Sequence, residues 1–206
     1  MNRRKFVRNT GLTAAGLAIL PAAVLPASGK QQKVKLGFIG VGLRGQNHLG
    51  NALRRKDVEV PVICDIDARM LERSLNIFRK HQKKVPEILT GSANAWRNML
   101  ERKDLDGIII STPWEWHAPM IIAAAQAGIR YIGTEVMLGI TLQDHWDVVK
   151  AAEQYKAHVM MLENVCYRRD VLAVLNMVRQ GLFGELVHLQ GGYQHDLRAV
   201  KFNNGK

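Results

Sequence analysis

Apolar and polar positions alternate in blocks along the chain, and each block predicts one element of secondary structure. Apolar runs, of the length that a buried parallel strand needs, occupy residues 34–39, 58–64, 108–110, 130–133 and 159–162. Apolar residues at helical spacing follow the first run and recur in residues 68–82, 92–102, 118–127 and 142–155. In the last of these segments Trp146, Val149 and Ala152 share one face. Strands that alternate with helices predict an α/β fold of the Rossmann type, a doubly wound parallel sheet with helices on both faces.

The remaining segments set the expected domain limits. Residues 83–89 predict a connector, residues 169–180 a helix, and residues 185–193 a strand that begins a new structure. We therefore expect a Rossmann domain over residues 30–165, followed by the truncated start of an α+β substrate domain over residues 166–206.

A glycine motif joins the first strand to the first helix. Gly40-Val41-Gly42-Leu43-Arg44-Gly45 matches the pattern G-x-G-x-x-G. In a dinucleotide site the first glycine permits the tight turn, the second lets the backbone approach a pyrophosphate, and the third lets helix and strand pack closely. The N–H groups at the helix N-terminus would face the phosphates. The motif alone is weak evidence, but its place between strand and helix favours a dinucleotide site over a bare glycine turn.

An acidic residue ends the second strand. Asp65 follows Gly45 by about 20 residues, the spacing at which an acid accepts hydrogen bonds from a ribose diol. Its charge would repel a 2′-phosphate, and no arginine directly follows it. The sequence therefore favours NAD over NADP, although Arg69 lies near enough to leave NADP open.

Polar and aromatic clusters follow the later strands. They comprise residues 112–117, 134–136 and 163–164. The carboxyl ends of parallel strands meet at one edge of a sheet, so we expect these clusters to share one site. Trp114 and Trp116 could wall a nicotinamide or a sugar, with Glu115 and His117 beside them, or the rings could cover the core. Glu135 could accept a ribose hydrogen bond or be a solvated loop acid.

A further polar cluster follows the last predicted strand. Tyr193 could contact a substrate hydroxyl. His195 beside Asp196 could act as a base, but adjacent residues of an extended chain point to opposite faces. The remaining histidines, among them His48, show no ligand spacing, so no metal site is predicted.

Composition and charge exclude little. The chain has 206 residues, 29 lysines and arginines and 18 acidic residues, for a net charge of +11. The basic residues are scattered over predicted helix faces without aromatic partners, which indicates a solvated surface and no nucleic-acid partner. Cys64 and Cys166 are predicted to be small buried side chains, and their pairing is left open.

The first 29 residues predict an export signal. Asn2-Arg3-Arg4-Lys5-Phe6 looks like a twin-arginine motif, and the apolar segment that follows is too short to span a membrane stably. Small residues near residues 25–28 suit cleavage. We expect a periplasmic or secreted protein, with a retained amphipathic N-terminus as the alternative.

The motifs together resemble the Gfo/Idh/MocA oxidoreductases. The resemblance rests on the glycine motif, on Ser111-Thr112-Pro113 with His117, and on Ala127-Gly128 leading to Glu135. The usual continuation in that family is Glu-Lys-Pro, whereas this chain has Glu135-Val136-Met137. The missing lysine argues against ordinary sugar dehydrogenation.

One branch of the superfamily, glycosyl hydrolase family 109, is similar over the whole chain. The resemblance is carried by four long motifs, at residues 112–117, 133–136, 163–170 and 191–198. It implies an NAD-dependent α-N-acetylgalactosaminidase that acts on a glycan or glycoside. It also implies that Tyr193 contacts substrate and that NAD is held by Gly40, Gly42, Leu43, Arg44, Asp65, Trp114, Glu115, Trp116, His117, Glu135, Val136 and Asn164.

The resemblance also implies a mechanism. NAD would take a hydride from C3 of the sugar, the C2 proton and the aglycone would leave, water would add, and the hydride would return. The catalytic residues are expected beyond Lys206. We therefore expect a fragment that binds NAD without turnover, and a homo-oligomer is left open for the full-length protein. The alternatives are an NAD-dependent sugar dehydrogenase and a non-catalytic dinucleotide-binding protein.

Overall fold

The computed structural model describes residues 33–192, 194, 196 and 198. The predicted export signal, Tyr193 and His195 lie outside the described residues. The chain divides into two compact units, one that ends at Leu162 and one that begins at Glu163.

The first unit alternates strands with helices. Its strands are β1 (Val34–Ile39), β2 (Val58–Cys64), β3 (Glu87–Leu89), β4 (Gly107–Ile110), β5 (Tyr131–Thr134) and β6 (His158–Met161). Its helices are α1 (Leu43–Arg54), α2 (Ala68–Lys80), α3 (Arg97–Leu100), α4 (His117–Gln126) and α5 (Leu142–Tyr155), with a 3-10 turn at Trp114–Trp116. All strand pairs are parallel, in the order β3-β2-β1-β4-β5-β6. The predicted doubly wound Rossmann fold is confirmed.

Successive residues of β1 show why the sheet is covered on both faces. Phe38 belongs to one apolar cluster, with Leu49 of α1, and Ile39 belongs to the other, with Ile121 of α4. Neighbouring residues of a strand point to opposite faces, so an uninterrupted apolar run needs a helix layer on each side.

The strand order reverses beside β1. Phe38 pairs with Ile63 of β2 on one side and with Ile109 of β4 on the other. The two connections therefore leave in opposite directions, and a crevice opens at the carboxyl ends of β1 and β4. Ligands of doubly wound sheets bind in this crevice.

Two local predictions in this unit were wrong. The predicted connector contains β3, whose Ile88 pairs with Ile63, because an extended segment beside an unpaired strand gains its hydrogen bonds by joining the sheet. The helix predicted over residues 92–102 shrinks to the single turn of α3, preceded by turn structure.

Helix α5 has the predicted limits but buries another face. Thr141 and Asp144 form a reciprocal capping box that fixes its start. Val148 and Ala151 are buried, whereas Trp146 and Val149 are exposed. The face of α5 that packs on the core therefore lies one residue before the face that was predicted to be apolar.

The second unit contains a 3-10 turn at Val165–Tyr167 and helix α6 (Arg169–Arg179). No residue of α6 is buried. The strand predicted from residue 185 is wrong over residues 185–192, which have no strand assignment. A strand needs a partner for its backbone groups, and the described residues offer this segment none.

The two cysteines differ in burial. Cys64 is buried, as predicted, whereas Cys166 is exposed, contrary to the prediction. Both thiols are free.

Among residues 33–192, no helix combines the length and the apolar character needed to cross a membrane.

Candidate cofactor-binding site

The glycine loop has the geometry that its sequence requires. Gly40 has φ +83°, and a Cβ there would lie 2.6 Å from the carbonyl oxygen of Ser111. A Cβ on Gly45 would lie 2.1 Å from the carbonyl oxygen of Gly40. By contrast, a Cβ on Gly42 would meet no atom within 4 Å. Gly40 and Gly45 thus serve the fold, while the space beside Gly42 is free for a ligand.

Helix α1 points its N-terminus at this free space. Gly42 is its N-cap residue, no side chain caps the helix, and its first turn has no acid. The N–H groups of a helix start need partners, and the helix dipole favours an anion there. This end of α1 therefore suits a phosphate.

Asp65 uses both carboxylate oxygens to hold the backbone. Oδ2 accepts a hydrogen bond from the Val41 N–H at 2.7 Å, and Oδ1 accepts one from the Asp67 N–H at 2.9 Å. A carboxylate has about four acceptor positions, so each oxygen can accept one more hydrogen bond. Asp65 can therefore fix the glycine loop and still receive a ribose hydroxyl.

A cleft of about 220 Å³ runs along the ends of β1, β2 and β4. It is lined by Ile39, Gly40, Gly42, Cys64, Asp65, Ile66, Met70, Ser92, Ala93, Trp96, Ser111, Thr112, Pro113, Trp116 and Met120. The Trp96 Nε1 and Ser111 Oγ atoms are buried and have no hydrogen-bond partner in the described part of the chain. Buried polar atoms are normally satisfied, so this cleft fits a ligand with polar groups, as a dinucleotide has.

A polar cluster joins α1 to the loop after β5. Glu135 Oε1 accepts a hydrogen bond from Arg44 Nε at 2.9 Å and lies 2.5 Å from His48 Nε2. Because a carboxylate only accepts, the His48 nitrogen is the donor. Burial raises the pKa of Glu135, but the hydrogen bonds from His48 and Arg44 and the Arg44 charge outweigh burial and leave this pKa below its ordinary value. Glu135 is therefore ionised at neutral pH and holds Arg44 beside the glycine loop.

The four residues after Pro113 are placed very differently. Trp114 is 58% exposed, and Glu115 is exposed as well. Trp116 is half-buried, packs on the core and lines the cleft. His117 has no exposed surface. The exposed Trp114 ring does not cover the core, which removes that alternative for Trp114.

The buried His117 ring spans two loops. Its Nδ1 lies 2.6 Å from the carbonyl oxygen of Met137, and its Nε2 lies 2.8 Å from that of Thr112. Both ring nitrogens are therefore occupied by the backbone.

A buried thiol also lines the cleft. Burial, and next the charge of Asp65, raise the pKa of Cys64 to about 12. The thiol is therefore protonated at neutral pH, and Cys64 serves as an apolar wall and not as a nucleophile.

Apart from His117, whose contacts are given above, and Tyr193, which lies outside the described residues, the predicted site residues fall into four groups. Gly40, Gly42, Asp65 and Trp116 line one cleft. Arg44 and Glu135 form a pair. Leu43, Trp114, Glu115 and Val136 lie exposed or half-buried in the first unit. Asn164 precedes the 3-10 turn of the second unit.

Sequence reasoning missed His48, Trp96 and Ser111. His48 lies four residues after Arg44 on α1, so the two side chains share a helix face. That spacing was a usable signal. Nothing in the sequence marks Trp96 or Ser111 as polar groups without a partner.

Two families match the chain. The family described as "Oxidoreductase family, NAD-binding Rossmann fold" matches residues 34–163. The one described as "Glycosyl hydrolase 109, C-terminal domain" matches residues 167–206.

Curated relatives match over the whole chain. A glycosyl hydrolase family 109 protein of Stenotrophomonas maltophilia is 53% identical over 100% of this chain and 45% of its own length. An alpha-N-acetylgalactosaminidase of Tannerella forsythia is 43% identical over 98% of this chain and 47% of its own length. The chain thus spans about half the length of the relatives it matches. The predicted resemblance to glycosyl hydrolase family 109 is confirmed.

Solved structures agree with the fold. The scyllo-inositol dehydrogenase of Lactobacillus casei, with bound NAD(H) and scyllo-inositol, superposes with a TM-score of 0.64. The match covers 75% of this chain and 43% of that protein at 17% sequence identity. At this identity the likeness concerns the fold alone.

Proposed function

This chain belongs to the Gfo/Idh/MocA oxidoreductase family, whose NAD-binding Rossmann fold it carries, and from that premise we propose that it binds NAD in the crevice beside β1. One observation carries the proposal: the space beside Gly42 is open, and the uncapped N-terminus of α1 faces it. Arg44 and the exposed Leu43 would add to the phosphate side of the site. Trp96 and Ser111 supply buried polar atoms in the adjoining cleft.

The proposed cofactor is NAD and not NADP. The Asp65 carboxylate would receive the adenosine ribose at the end of β2, where a 2′-phosphate would meet its negative charge. The Arg69 guanidinium, which could favour a 2′-phosphate, is bound to Asp67 at 3.0 Å in the structure.

We further propose that the chain forms the nucleotide-binding part of a glycosidase that acts on terminal α-linked N-acetylgalactosamine. Relatives with that printed activity support the proposal. When bound, NAD would accept a hydride from the sugar and later return it, so that it is needed but not consumed. Val136, in the place of the dehydrogenases' lysine, favours this use over net oxidation.

Several residues complete the proposal. Trp114, Glu115, Trp116, Glu135, Val136 and Asn164 would contribute to the NAD site and Tyr193 to the substrate site. The His117 ring would act indirectly, since both of its nitrogens are occupied. Export by the twin-arginine route would deliver the protein to the periplasm or beyond.

Binding is tested by calorimetry and thermal melts of the purified chain with NAD+ and NADP+. We expect NAD+ to bind and to stabilise the folded state, by about 2.7 kcal/mol at 100 times the dissociation constant. We expect NADP+ to bind at least about tenfold more weakly, a difference of about 1.4 kcal/mol. Equal binding of both would contradict the role of Asp65, and no binding of either would refute the proposal.

Activity is tested on the protein at its natural length, freed of nucleotide. The assay uses a chromogenic α-N-acetylgalactosaminide, with and without NAD+. We expect hydrolysis that depends on a catalytic amount of NAD+ and leaves no net NADH. Accumulation of NADH would indicate the dehydrogenase alternative, and binding without either reaction would indicate a dinucleotide-binding protein.

A further inference from the structure

Both ring nitrogens of His117 face the backbone of neighbouring loops. The carbonyl oxygen of Thr112 lies 2.8 Å from Nε2, and that of Met137 lies 2.6 Å from Nδ1. A carbonyl oxygen only accepts, so a ring N–H of His117 is the donor to this backbone.

The ring is closed off from solvent. His117 has no exposed surface, and buried polar groups are normally hydrogen-bonded. The two carbonyl oxygens meet that condition, so the ring is held by the loops that it contacts.

The two partners belong to different loops. Thr112 lies between β4 and the turn Trp114–Trp116, and Met137 lies between β5 and α5. These loops follow neighbouring strands at the carboxyl edge of the sheet. His117 therefore connects, through one rigid ring, two loops that are separate in the sequence.

The strand order places these loops on one half of the cofactor. The α1 N-terminus would take the pyrophosphate, and Asp65 at the end of β2 would take the adenosine ribose. The second nucleotide, with the nicotinamide, would then extend to the other side of β1, over β4 and β5. His117, which contacts the loops after these two strands, would lie on the side of that second half.

We propose that His117 is a positioning residue whose buried ring, bound to the carbonyl oxygens of Thr112 and Met137, fixes the loops after β4 and β5 for the nicotinamide half of the cofactor. The inference rests on the proposed binding of NAD. It assigns His117 no direct contact with the cofactor, and it predicts that its loss affects NAD+ but not a ligand confined to the adenosine half.

The first experiment reads the ring itself. The wild-type chain, labelled with 15N in histidine, is studied by long-range 1H–15N correlation, which reports on the hydrogens of the two ring nitrogens. H117Q serves to assign the signal. We expect a His117 ring N–H that is protected from exchange with solvent, as a buried hydrogen bond requires, and a rapidly exchanging ring N–H would overturn the inference.

The second experiment compares two ligands in two matched variants. In H117Q the amide can keep the bond to Thr112 but not that to Met137, and in H117N the reverse holds. We expect both variants to bind NAD+ at least about tenfold more weakly, the effect of losing about 1.4 kcal/mol. We expect ADP, which lacks the nicotinamide nucleotide, to bind within about twofold of wild type. The control is H158Q, in which an exposed histidine is replaced. This variant should bind both NAD+ and ADP as tightly as wild type does.

The outcomes separate the two proposals. Equal losses for NAD+ and ADP would show a merely structural role and overturn the inference, as would unchanged binding of NAD+. If the wild-type chain bound neither ligand, the proposed function would fail and the positioning role with it. The ring spectrum of the wild-type chain would still report on the two hydrogen bonds, including when a variant does not fold.

Discussion

At the residue scale, the site depends on side chains that hold one another. Glu135 is the clearest case. Its Oε1 accepts hydrogen bonds from Arg44 and His48 of α1, and the Glu135 side chain is only 14% exposed. Removing one partner of a charge-assisted pair leaves the others without a match. Arg44, a proposed phosphate contact, is thus held in place partly by a residue on the loop after β5.

We predict that E135Q destabilises the protein in a pH-dependent way. The lowered pKa means that ionised Glu135 stabilises the fold above its unfolded pKa of about 4.3, and that this contribution is lost as the pH falls through the folded pKa. Urea unfolding should show a loss of about 1–3 kcal/mol at pH 7. The difference in the free energy of unfolding between E135Q and wild type should become smaller below a pH of about 4.

The control for this prediction is E153Q, which removes the charge of an exposed glutamate of α5. Its stability should match wild type to within about 0.5 kcal/mol at both pH values. If E135Q were less stable than wild type by the same amount at both pH values, Glu135 would act by packing and not by charge.

At the element scale, different glycines of the loop between β1 and α1 serve folding and binding. The three glycines of its motif look equivalent in sequence, but the atoms around them differ. Gly42 faces open space, whereas Gly45 lies against the Gly40 carbonyl.

We predict opposite effects for two glycine-to-alanine substitutions. G42A should leave the free energy of unfolding within about 1 kcal/mol of wild type, since its φ of −65° suits alanine. Its methyl group should weaken NAD+ binding at least about tenfold, a loss of about 1.4 kcal/mol. G45A should instead destabilise the fold by about 1–3 kcal/mol or more, because its Cβ would overlap backbone.

Thermal melts and calorimetry on the same preparations check this pair. Tight NAD+ binding by a folded G42A would contradict the assigned path of the pyrophosphate. A G45A variant as stable as wild type would show that α1 can move away from β1 at little cost.

The elements themselves were predictable where local pattern decides. The limits of β1, β2 and α5 follow from apolar runs and from the Thr141 cap. β3 was missed because a three-residue strand exists only through its pairing with β2. Residues 185–192 show the converse, since an apolar pattern without a partner does not make a strand.

The site was predictable only in part, for a similar reason. Gly40, Gly42 and Asp65 stand at spacings that the fold class requires, so they can be read from the chain. His48 acquires a role through Glu135, which lies 87 residues later, and His117 through the carbonyl of Met137, 20 residues later. Every residue has a backbone oxygen, so a contact to that oxygen cannot be predicted from the partner's residue type.

At the scale of the whole molecule, the two units differ in how much they bury. Helix α5 packs Val148 and Ala151 into the core of the first unit. Helix α6 buries no residue and exposes Val171, Leu172, Val174 and Leu175. Local stability follows buried apolar contact.

We therefore predict unequal hydrogen exchange in the 206-residue chain. Amides in the middle of α5 should exchange at least about 100-fold more slowly than those of α6, which opens without disturbing a core. Mass spectrometry of peptides covering the two helices measures both at once. Equal protection would mean that α6 is covered by a partner, for example a second copy of the chain, and a dependence on protein concentration would identify that case.

The double use of Asp65 bears on how this site can change over evolutionary time. The carboxylate that would discriminate between the two dinucleotides is also the acceptor for the Val41 N–H of the glycine loop. A substitution that admits a 2′-phosphate must therefore keep an oxygen that accepts from Val41, as asparagine or serine could, or lose a support of the loop proposed to hold the pyrophosphate. A lineage could exchange one nucleotide for the other only along the substitutions that meet this condition. Cofactor preference is thus an inherited constraint, and an engineer who wishes to reverse it must keep an acceptor for Val41.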